Sequence, residues 1–220
     1  MPMKGSGETE VEIVDRFDGG AGWIAYPDER MQRASHAIEG DDGVWVVDPV
    51  DGDGVDELLS DLGEVAGVVT LFERHRRDAG TFAERHGVSV HVPEWMSGVA
   101  SEIDAPVERF GSTIGGFDSI RLVDNPLWQE AVLFDGETLV VPEAVGTASY
   151  FLTRDERLGV HPMLRIRPPR SLLSYDVERV LVGHGAGVLD GAVDAIRDAV
   201  ENGRRRTPTL YANAIRDLLR

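Results

Sequence analysis

The segment Val65-Ala-Gly-Val-Val-Thr-Leu-Phe-Glu-Arg-His-Arg-Arg-Asp-Ala-Gly80 constrains the fold of this chain more than any other. Its apolar run, residues 66 to 71, reads as a buried strand that hands over to a polar loop and then to a helix over 81–86. Chemistry carried by strands collects at such ends. If the loop stays extended, residues two apart project to the same side. Arg74, Arg76 and Asp78 then converge, and His75 and Arg77 face away.

The remaining pattern is β-rich in two successive halves. Strands are expected at 11–17, 22–26, 35–39 and 44–47, with Asp41-Asp42-Gly43 as a hairpin turn. A helix follows at 55–62, and further strands fall at 88–92, 107–110, 119–122, 131–134, 138–141 and 179–182. Two halves that are mostly sheet, with helices outside, predict an α+β four-layer αββα sandwich rather than one alternating parallel sheet. A domain over 1–203 is expected, with an irregular insertion at about 142–178 broken by Pro142, Pro162, Pro168 and Pro169. Residues 188–202 read as a helix. Residues 204–220 read as a separate docked helix, with Thr207 as cap, Pro208 in its first turn, and Leu210, Ala214 and Leu218 on one face. Arg204 to Arg206, between the two, are expected to neutralise a helix C-terminus and nearby carboxylates.

The order of these parts resembles the metallo-β-lactamase fold, whose signature after a buried strand is Thr-His-x-His-x-Asp-His-Ala-Gly. Thr70 and Asp78-Ala79-Gly80 fit that signature, with Arg74 and Arg76 where paired imidazoles belong. Gly43-Val-Trp-Val-Val-Asp48 resembles the early strand ending in Asp. Phe134-Asp-Gly-Glu-Thr-Leu139 resembles the strand end carrying a metal-bridging Asp, and Arg179-Val-Leu-Val-Gly-His-Gly185 the last strand and its ligand loop. The resemblance implies a metal-dependent hydrolase fold in which the ligands that carry over are Asp78, Glu137 and His184. No His stands between His91 and His161, where the family has a further ligand. A degenerate metal site is therefore expected.

Three readings of that site follow. In the first, the arginines take over the electrostatic role of the metal, no cofactor is resident, and Arg74, Arg76 and His161 bind a small anionic molecule. In the second, Asp78, Glu137 and His184 hold one divalent ion, zinc or a harder ion, and the protein hydrolyses esters or thioesters with Asp78 and His184 as catalytic groups. In the third, the chain is a protein-interaction module. His75 is weighed as a general base against a surface or supporting role. His36, His86 and His91 have no partners in sequence and read as structural.

Composition narrows the partners. A formal net charge of −17 argues against nucleic acid, which needs basic patches. Lys4 is the only lysine. Such an acidic, lysine-poor surface suits molar salt, as in a halophilic archaeon. The absence of cysteine excludes disulfides, thiolate nucleophiles and cysteine-bound zinc. No apolar run is long enough to span a bilayer and none follows the first lysine, so a cytoplasmic protein without membrane contact is expected. Gly183-His-Gly-Ala-Gly187 fails as a dinucleotide turn, since Val188 stands where the last glycine is needed. Gly111 to Asp118 fails as a phosphate loop, with Phe117 in place of lysine.

Overall fold

The computed structural model describes residues 2–7, 9–96, 98–153 and 155–218, with 213–215, 217 and 218 as backbone only. The first half builds a seven-stranded sheet whose spatial order follows the chain: β1 (Glu12–Phe17), β2 (Gly20–Ile24), β3 (Ala34–Gly40), β4 (Gly43–Val47), β5 (Val65–Val69), β6 (Val90–Pro93) and β7 (Val107–Phe110). β1 to β4 are antiparallel, and the expected two-residue turn closes the β3–β4 hairpin at Gly40 and Gly43. β4 to β7 are parallel, which requires crossovers. Two of these are α1 (Val55–Leu62) and α2 (Ala79–His86), which pack on β3, β5 and β6. The helix expected from residue 81 begins two residues earlier, at Ala79.

The second half forms a five-stranded sheet in the order β14, β11, β10, β9, β8. These are β8 (Thr113–Ile114), β9 (Phe117–Asn125), β10 (Trp128–Phe134), β11 (Thr138–Val141) and β14 (Arg179–Val182). β11 and β14 run parallel, so both end on the same edge of the sheet. The irregular stretch between them contributes a small ribbon, β12 (Val145–Gly146) with β13 (Gly159–Val160).

Alternation along the strands divides the layers. Ala131, Leu133, Val140 and Leu181 join the apolar cluster of the first sheet, whereas Val132, Leu139, Val141, Val180 and Val182 pack with the final helix. Successive side chains leave a strand on opposite faces, so the two sheets lie face to face with helices outside. The four-layer αββα sandwich is the observed architecture.

The final helix differs from expectation. Instead of two helices there is one, α3 (Ala192–Leu218), running through Gly203 and Pro208. Proline inside a helix removes one backbone bond, and here the Thr207 hydroxyl donates to the Gly203 carbonyl beside it (3.1 Å). Arg204 to Arg206 are therefore in mid-helix and meet no C-terminal dipole. Arg206 does pair with a carboxylate, Asp198, at 3.0 Å. Leu210 is buried, as expected, while the side chains of Ala214 and Leu218 lie outside the described residues.

One buried ion pair ties α3 to the insertion. Arg165 is fully buried and grips Glu156 with two bonds, of 3.0 and 2.8 Å, while donating to the carbonyls of Val160 and Gly203. Removing one partner of such a pair strands the other charge away from water. Arg165→Ala should lower unfolding free energy by about 3–5 kcal/mol in urea titrations, and Arg165→Met combined with Glu156→Leu should recover part of that loss.

Candidate metal centre

The site begins with Asp48, which ends β4 in a left-handed conformation (φ 46°). This turn aims its carboxylate at the end of the neighbouring β5: Oδ1 accepts the Leu71 N–H (3.1 Å) and Oδ2 takes Nδ1 of His75 (3.0 Å). The chain after β5 does not stay extended. Phe72 bridges to Glu130 on the opposite sheet, and the His75 N–H returns to the Phe72 carbonyl at 2.8 Å. That tight turn reverses the parity expected for the loop. His75 points into the protein and Arg74 out of it.

Two residues come from the other sheet. His184 follows β14, and its Nδ1 donates to the Met31 carbonyl (2.8 Å). Glu143 stands two residues beyond β11, on the same edge. Its backbone is pinned by buried Glu130, whose Oε1 accepts the N–H groups of Glu143 (2.9 Å) and Ala144 (2.7 Å) while Oε2 accepts the Trp128 indole (2.7 Å). Glu143 Oε2 lies 2.9 Å from His75 Nε2 and 2.7 Å from His184 Nε2, and the two nitrogens are 3.3 Å apart. His161 completes the arrangement. Its Nδ1 accepts the Met163 N–H (3.2 Å), which leaves the Nε2 proton for Glu143 Oε1 at 3.3 Å.

The partners orient the rings. Carbonyl and carboxylate oxygens accept, so an Nδ1 proton on His184 is directed at the Met31 carbonyl and one on His75 at Asp48, while Nε2 of each faces Glu143 Oε2. Burial alone would raise the Glu143 carboxyl, but the imidazoles of His184 and His75 outweigh it and hold it well below the usual carboxylate range. Burial lowers His184 against the pull of Glu143, and brings His161 down to about 4. Nε2 of His75, Nε2 of His184 and Oε2 of Glu143 thus face one point. Donors around a tetrahedral ion at about 2.0–2.1 Å stand about 3.3 Å apart, close to the observed nitrogen pair, with the oxygen contacts slightly shorter. Two imidazoles, each oriented by an acceptor behind it, and one carboxylate form a set that could hold a divalent cation.

A fixed cation lies beside them. Arg77, at φ 41°, turns its guanidinium inward, donating to the carbonyls of Asp48 and Gly183 (2.9 Å each) and of Ala34 (2.5 Å) and standing 3.4 Å from His75 Nε2. Burial brings its pKa down to about 10, so it remains charged.

The other expected site residues are elsewhere. Asp78 accepts the Asp51 N–H (2.8 Å) and lines an acidic surface cleft of about 870 Å³ with Asp53, Asp56 and Arg85. Arg76 is ion-paired with Glu102 and shares a second shallow cleft with Asp78, away from Arg74. Arg74 lies outside, with its guanidinium over the Phe72 and Trp128 rings. Glu137 is exposed in the β10–β11 turn, 3.8 Å from Arg179. Of the residues expected to ligate, only His184 belongs to the cluster. Asp78 and Glu137 are replaced there by His75 and Glu143. The signal for Glu143 was its place just past a buried strand parallel to the one before His184, because sites collect at carboxyl ends of strands.

The chain superposes on a DIM-1 metallo-β-lactamase exposed to ceftazidime with a TM-score of 0.61 over 90% of this chain and 99% of that one, at 14% identity. The fold is that of the metallo-β-lactamases. A metallo-β-lactamase from Pontibacter korlensis gives 0.60 over 87% and 98%, at 14% identity. The metal-soaked Flv1 flavodiiron core from Synechocystis gives 0.62 over 91% of this chain and 62% of that one, at 10% identity. No protein-family model and no curated protein matches the sequence.

Glu130 allows a test of how this sheet edge is held. Burial pushes its carboxyl up to about 7 against three N–H donors. A raised folded-state value means protonation favours the fold: the contribution is full below about 4.5 and is lost as pH rises through about 7. Urea unfolding of wild type and Glu130→Gln at pH 5 and pH 8 should show the wild type losing up to about 3 kcal/mol relative to the variant. A difference that is flat with pH would mean Glu130 does not titrate in this window.

Proposed function

We propose that the protein is a single-metal hydrolase on the metallo-β-lactamase fold, with one divalent ion held by His75, Glu143 and His184. The supporting observation is the direction of the three donors. One proton can bridge only one of the contacts at 2.7, 2.9 and 3.3 Å, which leaves the other lone pairs opposed. One cation at their centre serves all three.

A divalent ion in such a set supplies Lewis acidity toward an ester or thioester carbonyl and brings water within reach of ionisation near neutral pH. The chain's own part is positioning. Asp48 and the Met31 carbonyl keep both Nδ1 protons in place and so aim the Nε2 atoms. His161 holds the second Glu143 oxygen, and Glu130 holds the Glu143 backbone. Burial of His75, Glu143 and His184 keeps bulk water from competing at the cluster.

Arg77 favours a second reading. With neutral imidazoles, Asp48 and Glu143 against Arg77 leave one negative charge, which a single proton on His184 would balance. Arg77 would then donate to His75 Nε2, and the guanidinium would replace the metal, a role the sequence suggested for Arg74 and Arg76.

Metal titration separates the two. Chelator-treated protein should take up one equivalent of zinc by calorimetry and elemental analysis, with ester or thioester hydrolysis rising in proportion. His75→Ala, Glu143→Ala and His184→Ala should each weaken uptake about 100-fold or more, while Asp78→Ala and Glu137→Ala stay within about twofold. Arg77→Met should tighten zinc binding about tenfold or more by removing a nearby positive charge, and Arg77→Lys should not. Failure of the wild type to bind zinc would leave the metal-free reading in its place.

A further inference from the structure

The cluster is not equally closed on all sides. His184 keeps 4% of its side-chain surface, whereas Glu143 and His161 keep 9% and 8%. His75 keeps 7%, so His184 is the most enclosed of the four and His161 lies on one of the less enclosed sides. There the imidazole packs against Trp128 (ring centroids 4.9 Å) and Tyr150 (5.7 Å).

The neighbours of this ring pair are unusual for so acidic a chain. Leu127, next to Trp128, is 75% exposed, and Met163, whose N–H binds His161, is 61% exposed. Arg74 lies beside Leu127. Its guanidinium stacks on Trp128 at 5.1 Å and on Phe72 at 4.7 Å, and reaches the Leu127 carbonyl at 3.5 Å. Its side chain is 54% exposed, and the carboxylate nearest to it among the described residues, Glu73, is 3.8 Å away. Large apolar side chains left in water beside a stacked, weakly paired cation are a costly surface unless something covers them. The complement of such a surface is a small molecule with one negative end and an apolar body.

We infer that Arg74, Leu127 and Met163 form the substrate-recognition rim of the His75–Glu143–His184 centre, and that it takes amphipathic monoanions: carboxylates carrying an aliphatic or aromatic body, and their esters. Arg74 binds the carboxylate, its guanidinium held by the Phe72 and Trp128 rings with N–H donors left toward solvent. Leu127 and Met163 take the apolar body, and His161 connects the rim to Glu143. This rests on the proposed function in treating the cluster as the reacting centre, but the binding itself requires no ion. Methionine adapts to bodies of different shape, so selection by charge should be sharper than selection by form.

Calorimetric titrations at one ionic strength, on chelator-treated and zinc-loaded protein, test this with butanoate, hexanoate, octanoate and hexan-1-ol. Affinity should rise about threefold or more for every two methylenes added, less than full burial would give, and hexanoate should bind about tenfold more tightly than hexan-1-ol. Arg74→Gln should abolish that preference, and Arg74→Lys should keep part of it. Leu127→Ser and Met163→Ser should flatten the chain-length series while the carboxylate preference stays. All three side chains are at the surface, so folding is not at stake, and near-ultraviolet circular dichroism verifies it. Equal binding of hexanoate and hexan-1-ol, or an Arg74→Gln variant that binds like wild type, overturns the rim. Carboxylate binding without zinc uptake would sustain the rim and overturn the metal reading. Zinc uptake without carboxylate binding would do the reverse.

Discussion

The Asp48 carboxylate is the contact on which the site depends. It stands where β4 ends, takes the Leu71 N–H as β5 ends, and fixes the His75 proton on Nδ1. Its own carbonyl takes a bond from Arg77. A non-glycine residue at φ 46° is strained by about 1–3 kcal/mol, and these three bonds offset that strain. Without the left-handed turn the carboxylate would continue along the strand, and neither the β5 exit nor the imidazole would have a partner. Everything downstream, from the reversal at Phe72 to the entry of Arg77, follows from where Asp48 points.

Each sheet supplies only part of the centre. His75 and Asp48 belong to the first sheet, Glu143 and His184 to the second, and Arg77 donates to carbonyls on both. The site exists only when the sheets are packed face to face. Whatever binds the three donors, proton or ion, therefore adds its binding free energy to the cohesion of the sandwich. Burial at the centre is costly for Glu143 on its own, and the cost is met by His75, His184 and His161 rather than by water.

Much of the architecture was legible in the sequence because it rests on period and punctuation. Apolar strands bounded by glycine and aspartate gave both halves, and the hairpin at Asp41-Asp42 followed from turn chemistry. The order of parts was enough to suggest the four layers. What could not be read was local geometry at the strand ends. Parity assumes an extended chain, but residues 72–75 turn and Arg77 is left-handed. The inward and outward residues were exchanged as a result. Glu137 was chosen for the likeness of its tetrapeptide, although it sits in the turn before β11. Glu143 sits after that strand, on the edge where His184 also lies. His184 lies in the cluster, and His161, expected to bind an anion, lies beside Glu143; each stands beside a segment whose position needed no dihedral angle. The continuous α3 is a similar case. Proline and glycine signal a break in an isolated helix, but packing of Ala195, Ile196, Ala199 and Val200 on the second sheet carries the chain beyond it.

The fold alone does not choose between an ion and an internal cation, since 14% identity to a metallo-β-lactamase shows layering and not ligands. The choice is made by two opposing terms within a few ångströms. Coulomb energy favours the smaller charge, because Arg77 already offsets one of the two carboxylates. Directionality favours the larger unless Arg77 donates to His75 Nε2, because one proton alone cannot bridge every contact at Glu143 Oε2. Relieving the directional term would mean rotating rings held from behind in a close-packed interior. Charge can be adjusted from outside, by an anion drawn to the opening beside His161. Under the proposed reading a divalent ion would leave the centre with one net positive charge, which a monoanion would match, and the Arg74 guanidinium stacked on Trp128 is the cation offered to it.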